Sequence, residues 1–254
     1  MIKVVLIGAG NLAFHFFKKF NSSEKVILKQ WYNRSLEKIH FAESVVAITN
    51  QLNRLKKADL YLICVSDDAI ESISEKIQIN GLVAHCAGAV PINRLSGKTR
   101  KAVFYPLQTF NREKDLSFDK LPFCIETTYP KDQTLLKDLA YCLGGVAYEF
   151  DSKKRGIIHM IAVFINNFSN HLLHLGSDLS SNYQIPFEIF QLLIIETYHK
   201  SMLIGPKNSQ TGPAIRRDQK TIYNHLDLLI DDDLKKLYLI LTNSIQKKHE
   251  PKKL

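Results

Sequence analysis

Lys3-Val4-Val5-Leu6-Ile7 runs directly into Gly8-Ala9-Gly10-Asn11-Leu12-Ala13. The first stretch is apolar enough for a strand buried on both faces, and the second is a Gly-x-Gly-x-x-Ala turn opening a helix. Strand, tight turn and helix in that order predict a dinucleotide whose pyrophosphate sits on the turn. Gly8 permits the turn, Gly10 lets backbone approach phosphate, and Ala13 lets the helix pack closely on the strand. The helix N-terminus adds unpaired N–H groups and a partial positive charge. Gly8, Ala9, Gly10, Asn11 and Leu12 are therefore expected cofactor contacts.

Further apolar runs follow at Val26–Tyr32, Val46–Ile48, Leu60–Val65, Leu82–Cys86, Ala102–Tyr105, Phe123–Glu126 and Val146–Phe150. They alternate with amphipathic segments, the pattern of a mostly parallel sheet with helices on both faces. After Asp151 the texture becomes helical, over residues 153–182 and 187–203, then from near Asp218 and from Asp232 to the tail. The expectation is an α/β domain over residues 1–151 and an all-α domain over 152–254.

The chain has 254 residues and a formal net charge of +9. No apolar stretch has the length of a membrane-spanning helix. The N-terminus does not read as a secretion signal, which predicts a cytoplasmic protein. The charge excess suits an anionic cofactor and substrate. No nucleic-acid motif accompanies it, and part of it lies in the tail, Lys247 to Lys253, expected to be frayed. Cys64, Cys86, Cys124 and Cys142 form no C-x-x-C pair and read as small hydrophobes. No metal site is expected, since His171 and His174 lack a third ligand in a recognised spacing.

The tip of the second strand decides the cofactor. Asn33 stands where an NAD-preferring domain usually carries an acid for the ribose 2′-hydroxyl, and Arg34-Ser35 follow. Arg34 offers a fork for a 2′-phosphate and Ser35 a hydroxyl, which predicts NADP(H). Val65 and Ser66 follow the fourth strand, and Ala87 and Gly88 the fifth, at the rim where ligands bind in open α/β sheets. His85 is read either as a substrate contact or as a hydrogen-bonded strand-end histidine.

On a regular helix from Lys153, His159, Asn166, Asn167, Asn170, His171, His174, Ser177 and Asp178 share a sector of about 140°. Amides and imidazoles suit a polar cleft, and equally suit helix–helix hydrogen bonds within a dimer. Farther on, Gly212-Pro213 predicts a rigid turn before Arg216 and Arg217, with Asp218 capping the next helix. Arg216 is the candidate clamp for a substrate anion.

Gly8–Ala13, Asn33–Ser35, His85–Pro91, the run Tyr105-Pro106-Leu107-Gln108-Thr109-Phe110, the run Asn166 to His171, and Gln210–Asp218 together span nearly the whole chain. They resemble a bacterial group of Rossmann-like oxidoreductases with a helical C-terminal domain of unknown function, related to pyrroline-5-carboxylate reductase and to deazaflavin-dependent NADP oxidoreductases. The resemblance implies NADP(H) binding, a two-domain subunit and a homodimer built by the helical domains. It supplies no substrate. The resulting expectation is a reductase of a small anionic imine or carbonyl compound. Asn167 and His171 would polarise or protonate it, and Arg216, Asn166 and His85 would bind it. The alternative is a sensor or scaffold that holds NADP(H) without chemistry.

Overall fold

In the computed structural model, residues 1–250 are described, apart from 78, 80 and 98. The strands are β1 (Ile2–Ile7), β2 (Val26–Tyr32), β3 (Ile48–Thr49), β4 (Leu60–Ile63), β5 (Leu82–His85), β6 (Arg100–Pro106), β7 (Pro122–Thr127) and β8 (Val146–Glu149). They form one sheet in the order β3-β2-β1-β4-β5-β6-β7-β8. All neighbours are parallel except β6 and β7, which run antiparallel.

Both faces are covered, as the apolar strands require. Val4 and Leu6 of β1 join one buried cluster, and Val5 and Ile7 join the other on the opposite face. Helix α1 (Asn11–Asn21) buries Phe16 and Phe20 in the first cluster, with Phe104, Phe118 and Phe123. The other helices of this half are α2 (Ile70–Lys76) and α3 (Gln133–Cys142). Cys64, Cys86 and Cys124 are buried free thiols.

The sheet ends at Glu149, and α4 (Ser152–Ala162) opens with Asp151 capping the Lys154 N–H at 2.7 Å. The switch to helix thus falls where expected. The compact unit, however, extends to Leu172, and the second unit runs from Leu173. Within it Arg155, 1% exposed, ties α4 to the sheet by an ion pair with Glu126 of β7.

The expected continuous helix 153–182 is interrupted. A π-helical turn, Val163–Phe168, joins α4 to α5 (Ser169–Asn182). The extra residue in such a turn rotates the next helical segment by roughly 100°, so the polar positions before and after it no longer share one sector.

The second unit is helical: the rest of α5, then α6 (Gln191–Ile204), α7 (Pro206–Ser209), α8 (Pro213–Arg216), α9 (Gln219–Leu228) and α10 (Asp232–Lys248). Gly212 has φ +107° and Pro213 opens α8, the turn read from the sequence. Asp218 caps α9, its carboxylate accepting the Thr221 N–H at 3.1 Å. Lys247 and Lys248 end α10 rather than fraying, while residues 251–253 of the expected tail lie outside the described residues. No helix of the described residues is long and apolar enough to cross a membrane.

Candidate functional site

Beyond the C-terminal ends of β1, β2, β4 and β5 lies a cavity of about 850 Å³. It opens where the strand order reverses around β1, the crevice that takes ligands in doubly wound sheets. Gly8, Ala9, Gly10, Asn11 and Leu12 line it, with Asn33, Arg34, Ser35, Val65, Ser66 and Ala87. The sheet therefore brings together residues from four separate turns that the sequence had marked.

The glycine turn is held rigidly. Gly8 has φ +110°, and its N–H donates to the Tyr32 carbonyl at 2.9 Å. The indole N–H of buried Trp31 donates to the Gly8 carbonyl at 2.6 Å. A Cβ on Gly8 would meet the Cys64 carbonyl oxygen at 2.2 Å, so neither the angle nor the space admits another residue. Gly10 differs: the nearest atom to a Cβ there is the same oxygen, at 4.0 Å. Nothing in the chain requires glycine at that position, and the room left over faces the cavity.

Gly10 stands at the N-cap of α1 without a side-chain cap. The loop after β6 folds back over this end. Asn11 Nδ2 donates to the Phe110 carbonyl at 2.9 Å, and the Arg112 guanidinium donates to the Ala9 carbonyl. Arg112 was not singled out from the sequence, where nothing in residues 107–114 marks a return to the first turn.

At the tip of β2 the Asn33 amide turns inward, Nδ2 donating to the Ser35 carbonyl at 2.7 Å. It shapes the bend and leaves Arg34 exposed on the rim. Lys38 and Lys76 add positive charge to the lining, against the single acid Asp67. Ser66 stands at the N-cap before Asp67 and makes no side-chain cap bond.

Two expected contacts are corrected. His85 is fully buried and lines neither cavity; its Nδ1 accepts the Ala87 N–H at 3.2 Å. Burial, then the Arg155 guanidinium, pushes its pKa down to about 3, so it is a neutral strand-end acceptor. Gly88 is buried too. A Cβ there would meet His159 Nδ1 and Tyr105 Cζ, each at 2.7 Å, so its smallness serves packing within the chain.

A second cavity, of about 540 Å³, is lined in part by Tyr105 and His159, the side chains packed on Gly88. Tyr105, Gln108, Thr109, His159, Asn166 and Asn167 supply its polar groups, amid apolar side chains such as Leu107 and Ile158. Tyr105 Oη and His159 Nδ1 are 3.3 Å apart. Asn166 and Asn167 thus face a cavity, as one reading of the polar helix face had it. His171 lies beyond the π turn, exposed and outside this lining, because the extra residue carries it round the axis. Arg216 is exposed at the end of α8 in the second unit; the nearby Asp218 carboxyl is held below its usual range first by hydrogen bonds from the Thr221 hydroxyl and N–H, and to a lesser degree by the Arg216 charge. Among the described residues no group of three His, Cys, Asp or Glu side chains is placed to hold a metal ion.

Fold and crevice together define a doubly wound dinucleotide-type domain with a helical C-terminal extension. A family described as a domain of unknown function, DUF2520, matches residues 121–245. The candidate NADP oxidoreductase BF3122 of Bacteroides fragilis shares 36% identity, with a TM-score of 0.85 over 97% of this chain and 98% of that one. The chain belongs to this family of Rossmann-like proteins with the DUF2520 helical domain. Protein TM1727 of Thermotoga maritima superposes at TM-score 0.74, with 17% identity over 97% of this chain and 98% of that chain. The 1-pyrroline-5-carboxylate reductase of Streptococcus pyogenes superposes at 0.65, with 14% identity over 98% of each chain. Those two likenesses concern the fold. A search of curated proteins finds no match.

Proposed function

We propose that the protein is an NADP(H)-dependent oxidoreductase that reduces a small imine or carbonyl compound. One observation carries this reading: the crevice joins a glycine turn, with unfilled space at Gly10, to a β2 tip bearing Arg34 and no acid. The description of the Bacteroides fragilis relative as a candidate NADP oxidoreductase supports it.

The residues present fit the cofactor. The backbone of Gly8–Leu12 at the start of α1 would hold the pyrophosphate, and Arg34 with Ser35 the 2′-phosphate. Ala87, just after β5 in the crevice lining, would leave room for the nicotinamide. When bound, the cofactor supplies the hydride, while the chain supplies position and proton. Asn166 and Asn167 offer amides for orienting the acceptor. The sensor reading stays as the alternative outcome if NADPH binds and no acceptor is turned over.

Arg34→Ala is expected to weaken NADPH about 10–100-fold, the worth of a charge-assisted fork to phosphate, with NADH little changed. Calorimetric titration of both cofactors into both proteins measures this. Equal losses for NADPH and NADH would remove Arg34 from the 2′-phosphate site.

A homodimer is part of the same proposal. No residue of α6 is buried, although it carries Leu192, Leu193, Ile195, Met202 and Leu203. An apolar helix left bare on a chain is the mark of a subunit contact. Sedimentation should give twice the chain mass, and a monomer at micromolar concentration would refute the contact.

A further inference from the structure

Gly88 follows Ala87 directly, and its missing side chain lets Tyr105 and His159 pack closely on it. Ala87 lines the crevice on one side, and Tyr105 lines the cavity on the other. Among the described residues, no Lys, Arg, Asp or Glu lines the second cavity. Its polar groups are a phenol, an imidazole, a threonine hydroxyl and amides.

We propose that this second cavity holds the uncharged reacting end of the acceptor, and that Tyr105, backed by His159, donates the proton that completes reduction. The inference rests on the oxidoreductase reading above. Hydride adds to the acceptor carbon as the C=O or C=N π pair moves onto the heteroatom. The heteroatom takes the Tyr105 phenol proton, and the phenolate takes the proton on His159 Nδ1 as Nε2 takes one from solvent, so the imidazole changes tautomer and stays neutral. A phenol in contact with a histidine can pass on a proton without a fixed charge, which an apolar cavity would penalise. Burial raises the Tyr105 pKa, with the Arg155 guanidinium opposing, so the phenol stays protonated at neutral pH.

The pair was not assigned from the sequence because 54 residues separate its members. Tyr105 lay within a family-like run and His159 on the polar helix face, and only the packing of α4 against the loop after β5 joins them.

The test uses the full chain and 2-piperidone, an uncharged lactam whose carbonyl accepts a hydrogen bond but resists hydride. Saturation-transfer NMR, with and without NADP⁺, should show saturable binding, weakened about tenfold in Tyr105→Phe. Its analogue 6-oxopiperidine-2-carboxylate should bind more weakly than the lactam. The phenyl ring keeps its packing on Gly88, so a melting curve followed through Trp31 should not move. With cyclohexanone and 1-piperideine as acceptors, NADPH oxidation should fall about 100-fold in kcat in Tyr105→Phe. His159→Gln should lower kcat while leaving lactam binding within twofold. Equal lactam binding by wild type and Tyr105→Phe, tighter binding of the carboxylate, or undiminished kcat overturns the proposal. Lactam binding with no turnover of either acceptor by the wild type overturns the proton-donor role. Failure to bind NADP⁺ while the lactam still binds would instead overturn the oxidoreductase reading and leave the cavity assigned.

Discussion

Arg155→Met should destabilise the α/β unit by about 3–5 kcal/mol, the usual cost of leaving one member of a buried ion pair alone. Arg155 is 1% exposed and its partner Glu126 is largely buried. The guanidinium also donates to the Val90 carbonyl in the loop after β5. Ser152 completes the network: its hydroxyl donates to Glu126 at 2.8 Å and accepts the Ile92 N–H at 2.9 Å. Three elements meet at one cation, namely β7, the β5 loop and the first turn of α4. Methionine matches the arginine stem but leaves the Glu126 carboxylate without its counter-charge. Urea unfolding followed through Trp31, the single tryptophan and part of the first buried cluster, reads the loss in this unit alone. The double variant Arg155→Met, Glu126→Gln should lose clearly less than the sum of the single losses, because no charge is stranded. A single-variant loss below about 1 kcal/mol, the range of exposed pairs, would show that the network does not hold α4 in place.

Gly8→Ala and Gly10→Ala should fail in opposite ways. At Gly8 the new methyl would lie 2.2 Å from the Cys64 carbonyl oxygen at φ +110°. Backbone strain of about 1–3 kcal/mol and overpacking of about 1–3 kcal/mol both apply, so the unit should lose roughly 2–6 kcal/mol. At Gly10 the methyl has 4.0 Å of clearance and φ is −76°, so stability should stay within about 0.5 kcal/mol of wild type. NADPH affinity should nevertheless drop at least about tenfold, or 1.4 kcal/mol, because the methyl occupies the approach of the pyrophosphate. Thermal melts and NADPH titrations on the two variants separate these effects. A Gly10→Ala protein with full NADPH affinity would mean that the crevice holds no pyrophosphate on this turn.

The sequence marked the crevice well because its signals are local. An unbroken apolar strand, a glycine turn and a strand tip lacking an acid are each read within a few residues. The parallel sheet then had to bring those tips together, since every parallel strand presents the same end to the same rim. The features that lay hidden depend on long-range packing. Lys153-Lys154-Arg155 reads as an ordinary basic helix start, and nothing local shows that only Arg155 is buried. His85 looks like a rim histidine, yet its position at the end of β5 points it into the core. Gly88 looked like room for a nicotinamide and proved to be room for Tyr105 and His159. The polar stripe from His159 to Asp178 assumed a regular helix, and the π turn at Val163–Phe168 divides it. The Asn166 and Asn167 half of that stripe meets a cavity, while His171 falls outside it.

Calorimetric titration of the wild-type chain with NADPH and with NADH decides whether the crevice beside Gly8 and Arg34 is an NADP(H) site. One NADPH should bind per chain, with NADH bound at least about tenfold more weakly for want of the 2′-phosphate. Tighter binding of NADH, or no heat of binding from either cofactor, would contradict it.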